Sequence, residues 1–177
     1  SGPFGSNISS KYFVEEGIPV IRGNNLSTDM TRFIDNGFVF ITEDKAKEFH
    51  NCEAREEDLI FTAAGTLGQV GIIPKECKYE TYIISNKQLR LRCDKTKVIP
   101  LFAFYWFSSP KMVRYIISRN TGSSIPLINL SILKSLPIPL PPLSVQKRIV
   151  DILRAYDDLI DNNNRRITLL EESMRLL

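Results

Sequence analysis

The hydrophobic pattern divides the chain into several short apolar runs and one long periodic stretch. Residues 38–41, 59–62, 70–73 and 82–84 are apolar runs of strand length bounded by turn residues. Gly17-Ile18-Pro19-Val20-Ile21-Arg22 reads as a turn into a further strand, and Pro19 suits an edge position or a strand's beginning. Gly23-Asn24-Asn25 then closes that strand as a tight turn. Runs 59–62 and 70–73, joined through Ala63-Ala64-Gly65-Thr66, predict a hairpin. In residues 88–92, Leu89 and Leu91 alternate with Gln88, Arg90 and Arg92, so one face is expected to be buried and the other basic. Residues 98–107 are apolar and aromatic without alternation, which predicts a buried helix. Ser108 or Ser109 before Pro110 supplies the cap of a second helix, which ends near Arg119 at Asn120-Thr121-Gly122. Thr42 caps a shorter helix expected over 43–51, whose first turn carries Glu43 and Asp44.

The long stretch runs from Ser144 to the last residue without a Gly or a Pro. Leu153, Tyr156, Ile160, Asn163, Ile167, Leu170, Met174 and Leu177 follow one another by steps of three and four, a heptad seam whose one polar seat is Asn163. As one helix, capped by Ser144, it is roughly 51 Å long. A seam left in water is an exposed apolar stripe, so it needs a cover. That cover is either the chain's own globular part or another helix. Pro137, Pro139, Pro141 and Pro142 make a stiff link before it. The expected division is a mixed α+β domain over 1–136, a link over 137–143 and the long helix over 144–177.

Charge changes this picture more than composition does. The chain of 177 residues is 43% hydrophobic and 24% charged, as ordinary globular domains are. Its net charge of +3 hides an uneven distribution. Residues 1–58 carry six Lys/Arg against eleven Asp/Glu, and residues 59–143 carry eleven against three. The long stretch is neutral, with six of each. A block of +8 inside one domain points toward a polyanion, or else makes a solvated basic face. No apolar run reaches membrane-spanning length and no signal peptide is visible. Cys52, Cys77 and Cys93 lack CxxC spacing, and with the single His50 they make a poor zinc set, so a reduced, cytoplasmic setting is expected.

Catalytic chemistry finds little support. No Gly-rich cofactor loop follows a strand, and Leu140-Pro141-Pro142-Leu143 lacks the flanks of an amino-methyltransferase motif. Asp58 with Glu76-Cys77-Lys78 has the residue types of a metal-dependent nuclease, but Glu76 follows Pro74 in a turn. No catalytic residue, metal or cofactor is therefore assigned. Candidate nucleic-acid contacts are the loop residues Lys11, Arg22, Asn24, Asn25, Lys87, Arg119, Thr121, Ser123 and Ser124, each of which also fits a plain surface role.

Several strings, in order, resemble one known family. Ile125-Pro126-Leu127-Ile128-Asn129-Leu130, Leu136-Pro137-Ile138-Pro139-Leu140-Pro141-Pro142-Leu143 and Gln146-Lys147-Arg148-Ile149-Val150 resemble the specificity subunit of type I restriction–modification systems, at the junction of a target-recognition domain with a long helix. Ser1-Gly2-Pro3-Phe4-Gly5-Ser6, Gly17 to Gly23, Asp58 to Thr62, Gly65-Thr66-Leu67-Gly68, Ile84-Ser85-Asn86 and Gln88-Leu89-Arg90 resemble the rest of such a domain. The resemblance implies a non-catalytic, sequence-specific reader of double-stranded DNA. It implies methyltransferase subunits as partners, with a restriction/translocase subunit reached through the complex. Members usually carry two recognition domains and two long helices paired as an antiparallel coiled coil. One domain and one helix are half of that plan. The other half is then a second copy, as a homodimer, or the rest of a longer subunit. The alternatives are a structural coiled-coil protein or a metal-dependent nuclease.

Overall fold

The computed structural model describes residues 1–3 and 7–175. Phe4-Gly5-Ser6, part of the resemblance, and the seam residue Leu177 lie outside the described residues. Among the described residues, seven strands form two sheets. Strands β1 (Ile18–Ile21), β2 (Val39–Ile41), β3 (Glu53–Ala54) and β6 (Tyr82–Ile84) make a mixed sheet of order β2-β1-β6-β3. Strands β4 (Leu59–Thr62), β5 (Val70–Ile72) and β7 (Gln88–Leu91) make an antiparallel sheet of order β5-β4-β7. The helices are α1 (Glu43–Lys47), α2 (Pro100–Ser108), α3 (Pro110–Ser118), α4 (Leu130–Ser135) and α5 (Leu143–Arg175). The molecule is thus an α+β domain ending in one long helix.

Strand β4 shows why its sequence is a continuous apolar run. Leu59 and Phe61 face one core, with α2, α3, α4 and the start of α5; Ile60 faces a second core built on the mixed sheet. A strand buried on both faces has no polar side to alternate with. Strand β1 is internal, yet it tolerates Pro19, because its parallel pairing with β6 begins only at Val20. Hairpin β4–β5 forms in register Ile60↔Gly71.

Capping follows the sequence expectations at two helices. Thr42 Oγ1 accepts from Lys45 N at 3.2 Å, and Ser109 Oγ accepts from Met112 N at 3.4 Å with Pro110 in the first turn. Elsewhere the boundaries move. Helix α1 stops at Lys47, and a separate 3-10 turn, His50–Cys52, follows. Helix α5 starts at Leu143, with the Pro142 carbonyl accepting from Val145 N and Gln146 N, so Ser144 lies inside the first turn and is not its cap. Residues 130–135, for which no helix was expected, form helix α4, capped by Asn129 through Ile132 N at 2.9 Å.

The proline-rich link is strapped to the domain. Trp106 Nε1 donates to the Pro137 carbonyl at 2.8 Å, Leu136 is buried, and Ile138 packs against the larger core. The first turns of α5 are equally part of that core. Gln146 is fully buried and Val150 nearly so, while Leu153 and Asp157 are half-buried. These positions recur at steps of three and four and form the helix face turned to the domain. Leu153, expected on the partner seam, therefore packs on the chain's own core. Beyond Asp157 every described residue of α5 is exposed. No helix among the described residues is long and apolar enough to cross a membrane.

Candidate nucleic-acid interface

Three turns from separate parts of the chain meet around an open cleft of about 570 Å³. The 3-10 turn Gly23–Asn25 follows β1, the turn 63–66 follows β4, and Asn86-Lys87 precedes β7. Arg22, Asn24, Thr66, Asn86 and Lys87 line the cleft, with Phe13 and Ile8 as its apolar wall. Three residues singled out from sequence, Arg22, Asn24 and Lys87, are thereby brought together from 65 positions apart.

Buried amides hold the turns in place. Asn25 is fully buried: its Oδ1 accepts from Arg22 N at 3.0 Å, and its Nδ2 donates to the Ile34 and Asn36 carbonyls at 3.0 and 2.8 Å. With both donors and one acceptor position engaged in a fully buried side chain, Asn25 acts as scaffold for the turn. Gln69 donates to the Gly23 and Leu26 carbonyls, each at 3.0 Å, and accepts from Thr62 Oγ1 at 2.8 Å. Buried Gln88 ties the same turn to β7: the amide orientation that satisfies both its ends donates to the Ile21 carbonyl and accepts from Gly23 N, each at 3.2 Å. The Lys87 carbonyl accepts from Ala63 N at 2.7 Å, joining the second and third turns.

Arg22 and Lys87 make no ion pair among the described residues, and Arg22 Nε is buried without a hydrogen-bond partner. A buried, unpaired N–H of a cation is costly, so its retention beside an open cleft is informative. Asn24 is exposed at the rim, where its Nδ2 donates to the Gly37 carbonyl at 3.0 Å.

The loop after α3 is fastened beside this cleft. Ala64 and Leu127 form an antiparallel bridge, Gly65 N donates to the Pro126 carbonyl at 3.0 Å, and Ile128 N donates to the Ala63 carbonyl at 2.8 Å. Asn120 organises the loop by accepting from Gly122 N at 2.9 Å and Leu127 N at 2.8 Å. The chain folds back so closely that a Cβ on Gly122 would fall 1.9 Å from the Ile125 carbonyl oxygen. Thr121, Ser123 and Ser124 are exposed on this loop, and Thr121 Oγ1 donates to the Leu127 carbonyl at 3.2 Å.

Other sequence candidates lie elsewhere. Lys11 lines a second, shallower cleft together with Asp44 and Glu48, and stacks on Tyr12 with its Nζ 4.7 Å from the ring centroid. Arg119 is folded onto Tyr115, 4.7 Å from the ring centroid, and also hydrogen-bonds its hydroxyl. The basic block of residues 59–143 is partly neutralised in space. Arg92 grips buried Asp58 through two bonds of 2.7 and 2.6 Å, and Glu57 pairs with Lys75 and Lys95. On the expected basic face of β7, Arg92 is tied to Asp58, Arg90 bonds the Glu53 carbonyl, and Gln88, assigned to that face, is buried. Asp58 also accepts from Arg55 N at 3.0 Å, so the carboxylate needed by the nuclease alternative is already engaged. Among the described residues no group of three or more His, Cys, Asp or Glu could hold a metal ion.

The joint between domain and helix was not legible in the sequence. Arg32 Nε and Nη2 donate to Asp157 Oδ2 at 3.1 and 2.9 Å, and the Tyr105 hydroxyl donates to the same oxygen at 2.6 Å. Burial, reinforced by that bond to Asp157, pushes the Tyr105 phenol up to about 12. Nothing in local spacing links positions 32, 105 and 157; only a long-range contact does.

Comparison with known proteins agrees with this fold. The chain matches the type I restriction modification DNA specificity domain family over residues 6–172. It is 28% identical over 158 residues to the type I restriction enzyme MjaIX specificity subunit of Methanocaldococcus jannaschii, covering 88% of this chain and 34% of that protein. It is 31% identical over 166 residues to the putative MjaX specificity subunit of the same organism, covering 90% and 37%. The chain thus spans about a third of the length of the curated relatives it matches. The crystal structure of the HsdS subunit from Thermoanaerobacter tengcongensis superposes with a TM-score of 0.63 at 18% identity, covering 84% of this chain and 37% of that one. From the matched span, which takes in both sheets and most of α5, the chain belongs to the family of type I restriction modification DNA specificity domains.

Proposed function

We propose that this chain reads one half of a bipartite double-stranded DNA site for a type I restriction–modification complex, and that it does no chemistry itself. The observation that carries this reading is the convergence of Arg22, Asn24 and Lys87 on one cleft whose walls are held by buried amides. Unpaired cations on fixed turns suit a polyanion, and a half-buried guanidinium beside an amide suits base edges. Lys87 is assigned to phosphate. Arg22 is assigned to a guanine edge and Asn24 to an adenine edge, with Thr121, Ser123 and Ser124 on the neighbouring loop.

The exposed stripe Tyr156, Ile160, Asn163, Ile167, Leu170 and Met174 on α5 is the proposed seam for a second helix. That helix belongs to a second copy of this chain or to the other half of a longer subunit. An antiparallel pair would set two recognition domains apart and give methyltransferase subunits a platform. The restriction/translocase subunit would be reached through them. In an isologous pair with two-fold symmetry, the site would be inverted and bipartite.

Selection from a random duplex pool, followed by titration at several salt concentrations, tests the reading. The expected result is enrichment of a defined sequence and binding that weakens steeply with salt. Lys87→Ala should weaken binding to all sequences and lower the salt slope by about 1, whereas Arg22→Ala should relax preference at one base pair and cost about 1–3 kcal/mol. A pool that emerges unenriched and a flat salt response would reject the reading.

A further inference from the structure

Helix α5 leaves the domain at one point, and what fixes its direction there is a geometric question. Its domain-side anchors are Gln146, Val150, Leu153 and Asp157. Gln146 is the inner anchor: it accepts from Ile99 N at 2.9 Å and donates to the Lys97 and Pro141 carbonyls at 2.9 and 2.8 Å. Asp157 is the outer anchor. Its Oδ2 receives two N–H groups from Arg32 and the hydroxyl of Tyr105, and Arg32 Nη2 also donates to that hydroxyl at 3.2 Å.

Both partners of Asp157 are themselves fixed. Tyr105 is buried on α2. The Arg32 carbonyl accepts from Ile72 N at 2.8 Å, and a Cβ on Gly71 would stand 2.6 Å from the Leu26 side chain and 3.2 Å from the Arg32 carbonyl oxygen. The segment bearing Arg32 is thus laid directly on β5, in space that Gly71 leaves open. The joint ties three elements to one oxygen atom.

A partly exposed ion pair adds little to stability, so the distinctive property of this one is its position. From Gln146 to Asp157 the anchored base is about 16 Å, and from Asp157 to Arg175 the unsupported helix runs about 27 Å further. If Leu153 were the outermost anchor, the base would shrink to about 10 Å. The same 1 Å slip at the outer anchor would then move the helix tip by about 4 Å, not about 3 Å. These displacements are comparable with the ~3.4 Å step of one base pair.

We propose that Arg32, Tyr105 and Asp157 form a spacing-determining joint: they set the angle at which the helix leaves the recognition domain, and with it the number of base pairs allowed between two half-sites. This rests on the reading of the chain as half of a bipartite reader. It assigns spacing to the domain–helix joint as well as to helix length. Arg32, Tyr105 and Asp157 are positioning residues; none lines the cleft.

The test uses the full chain and duplex pools carrying two copies of its enriched half-site in inverted orientation, separated by spacers of every length over one helical turn. Wild type, Asp157→Asn, Asp157→Lys, Arg32→Glu and the exchanged pair Arg32→Glu with Asp157→Lys are compared. Amide exchange over residues 59–91 verifies the domain in each. The expected result is one dominant spacer for wild type. Asp157→Asn should spread the preference to neighbouring lengths, Asp157→Lys and Arg32→Glu more so, and the exchanged pair should narrow it again. Half-site preference should stay unchanged throughout. Identical spacer profiles in all variants would overturn the joint while leaving the bipartite reading intact. Loss of half-site preference together with spacing would also overturn it, because the trio would then be ordinary scaffold. If wild type enriches no two-part site, the bipartite reading itself fails, and the joint with it.

Discussion

At the scale of single residues, buried amides and one phenol do most of the positioning. Gln146 satisfies Ile99 N and two carbonyls with one side chain. Gln146→Ala strands these groups, and urea unfolding should show a loss on the order of 3 kcal/mol. Tyr105 provides a pH prediction. Its phenol is held up to about 12 by burial and by the bond to Asp157, against an ordinary value of 10.0. The folded state therefore holds this proton more tightly than the unfolded chain does. The resulting stability is fully present below pH 10 and is lost as pH rises through 12. Denaturation midpoints should fall across that window in wild type, and fall less in Tyr105→Phe. Cys93 behaves in parallel: burial, with Asp58 and Glu57 nearby, pushes its thiol up to about 11. Alkylation at pH 8 should be on the order of a hundredfold slower than for a free thiol, read by timed mass spectrometry.

At the scale of elements, α5 serves two surfaces in sequence. Its first turns complete the domain core, and its remainder presents Ile160, Ile167, Leu170 and Met174 to water, each more than half exposed. An apolar stripe of this kind calls for a partner. Ile160→Asp with Leu170→Asp should leave the domain folded and abolish self-association, as sedimentation of the full chain would show; monomeric wild type at the same concentration would remove the basis for a second copy as the partner. The heptad positions from Tyr156 to Met174 are exposed. The heptad pattern misassigned Leu153, because seam spacing and core spacing are the same periodicity and only the packing tells them apart. The start of α5 lies one residue before the expected Ser144, and α1 ends at Lys47 with a separate 3-10 turn after it.

At the scale of the whole molecule, charge is distributed differently in space than along the chain. Acids from the first third pair with three cations of the basic middle, Asp58 with Arg92 and Glu57 with Lys75 and Lys95. Lys78, Lys111, Arg114 and Lys134 stay exposed without an ion pair among the described residues, while the cations lining the cleft are Arg22 and Lys87. Binding of an enriched duplex should therefore show a salt slope set by a few contacts, well below what a +8 block would produce. A measured slope near that larger value would place the binding surface outside the cleft.

Local pattern, by itself, determined the strands other than β3, hairpin β4–β5, the apolar helix α2, the Thr42 and Ser109 caps and the long α5, because these depend on periodicity and turn chemistry within a few residues. It also carried the family resemblance, and it marked Arg22, Asn24 and Lys87 as candidates one at a time. Tertiary structure alone decided that those three share a cleft, that Asn25 is buried scaffold, that Arg119 is stacked on Tyr115 and that Arg32 meets Asp157. Each of these is a contact between residues distant in the chain or a competition for one hydrogen bond, and neither leaves a mark on local periodicity. The same distinction separates the helix, readable from its own periodicity, from the joint that aims it.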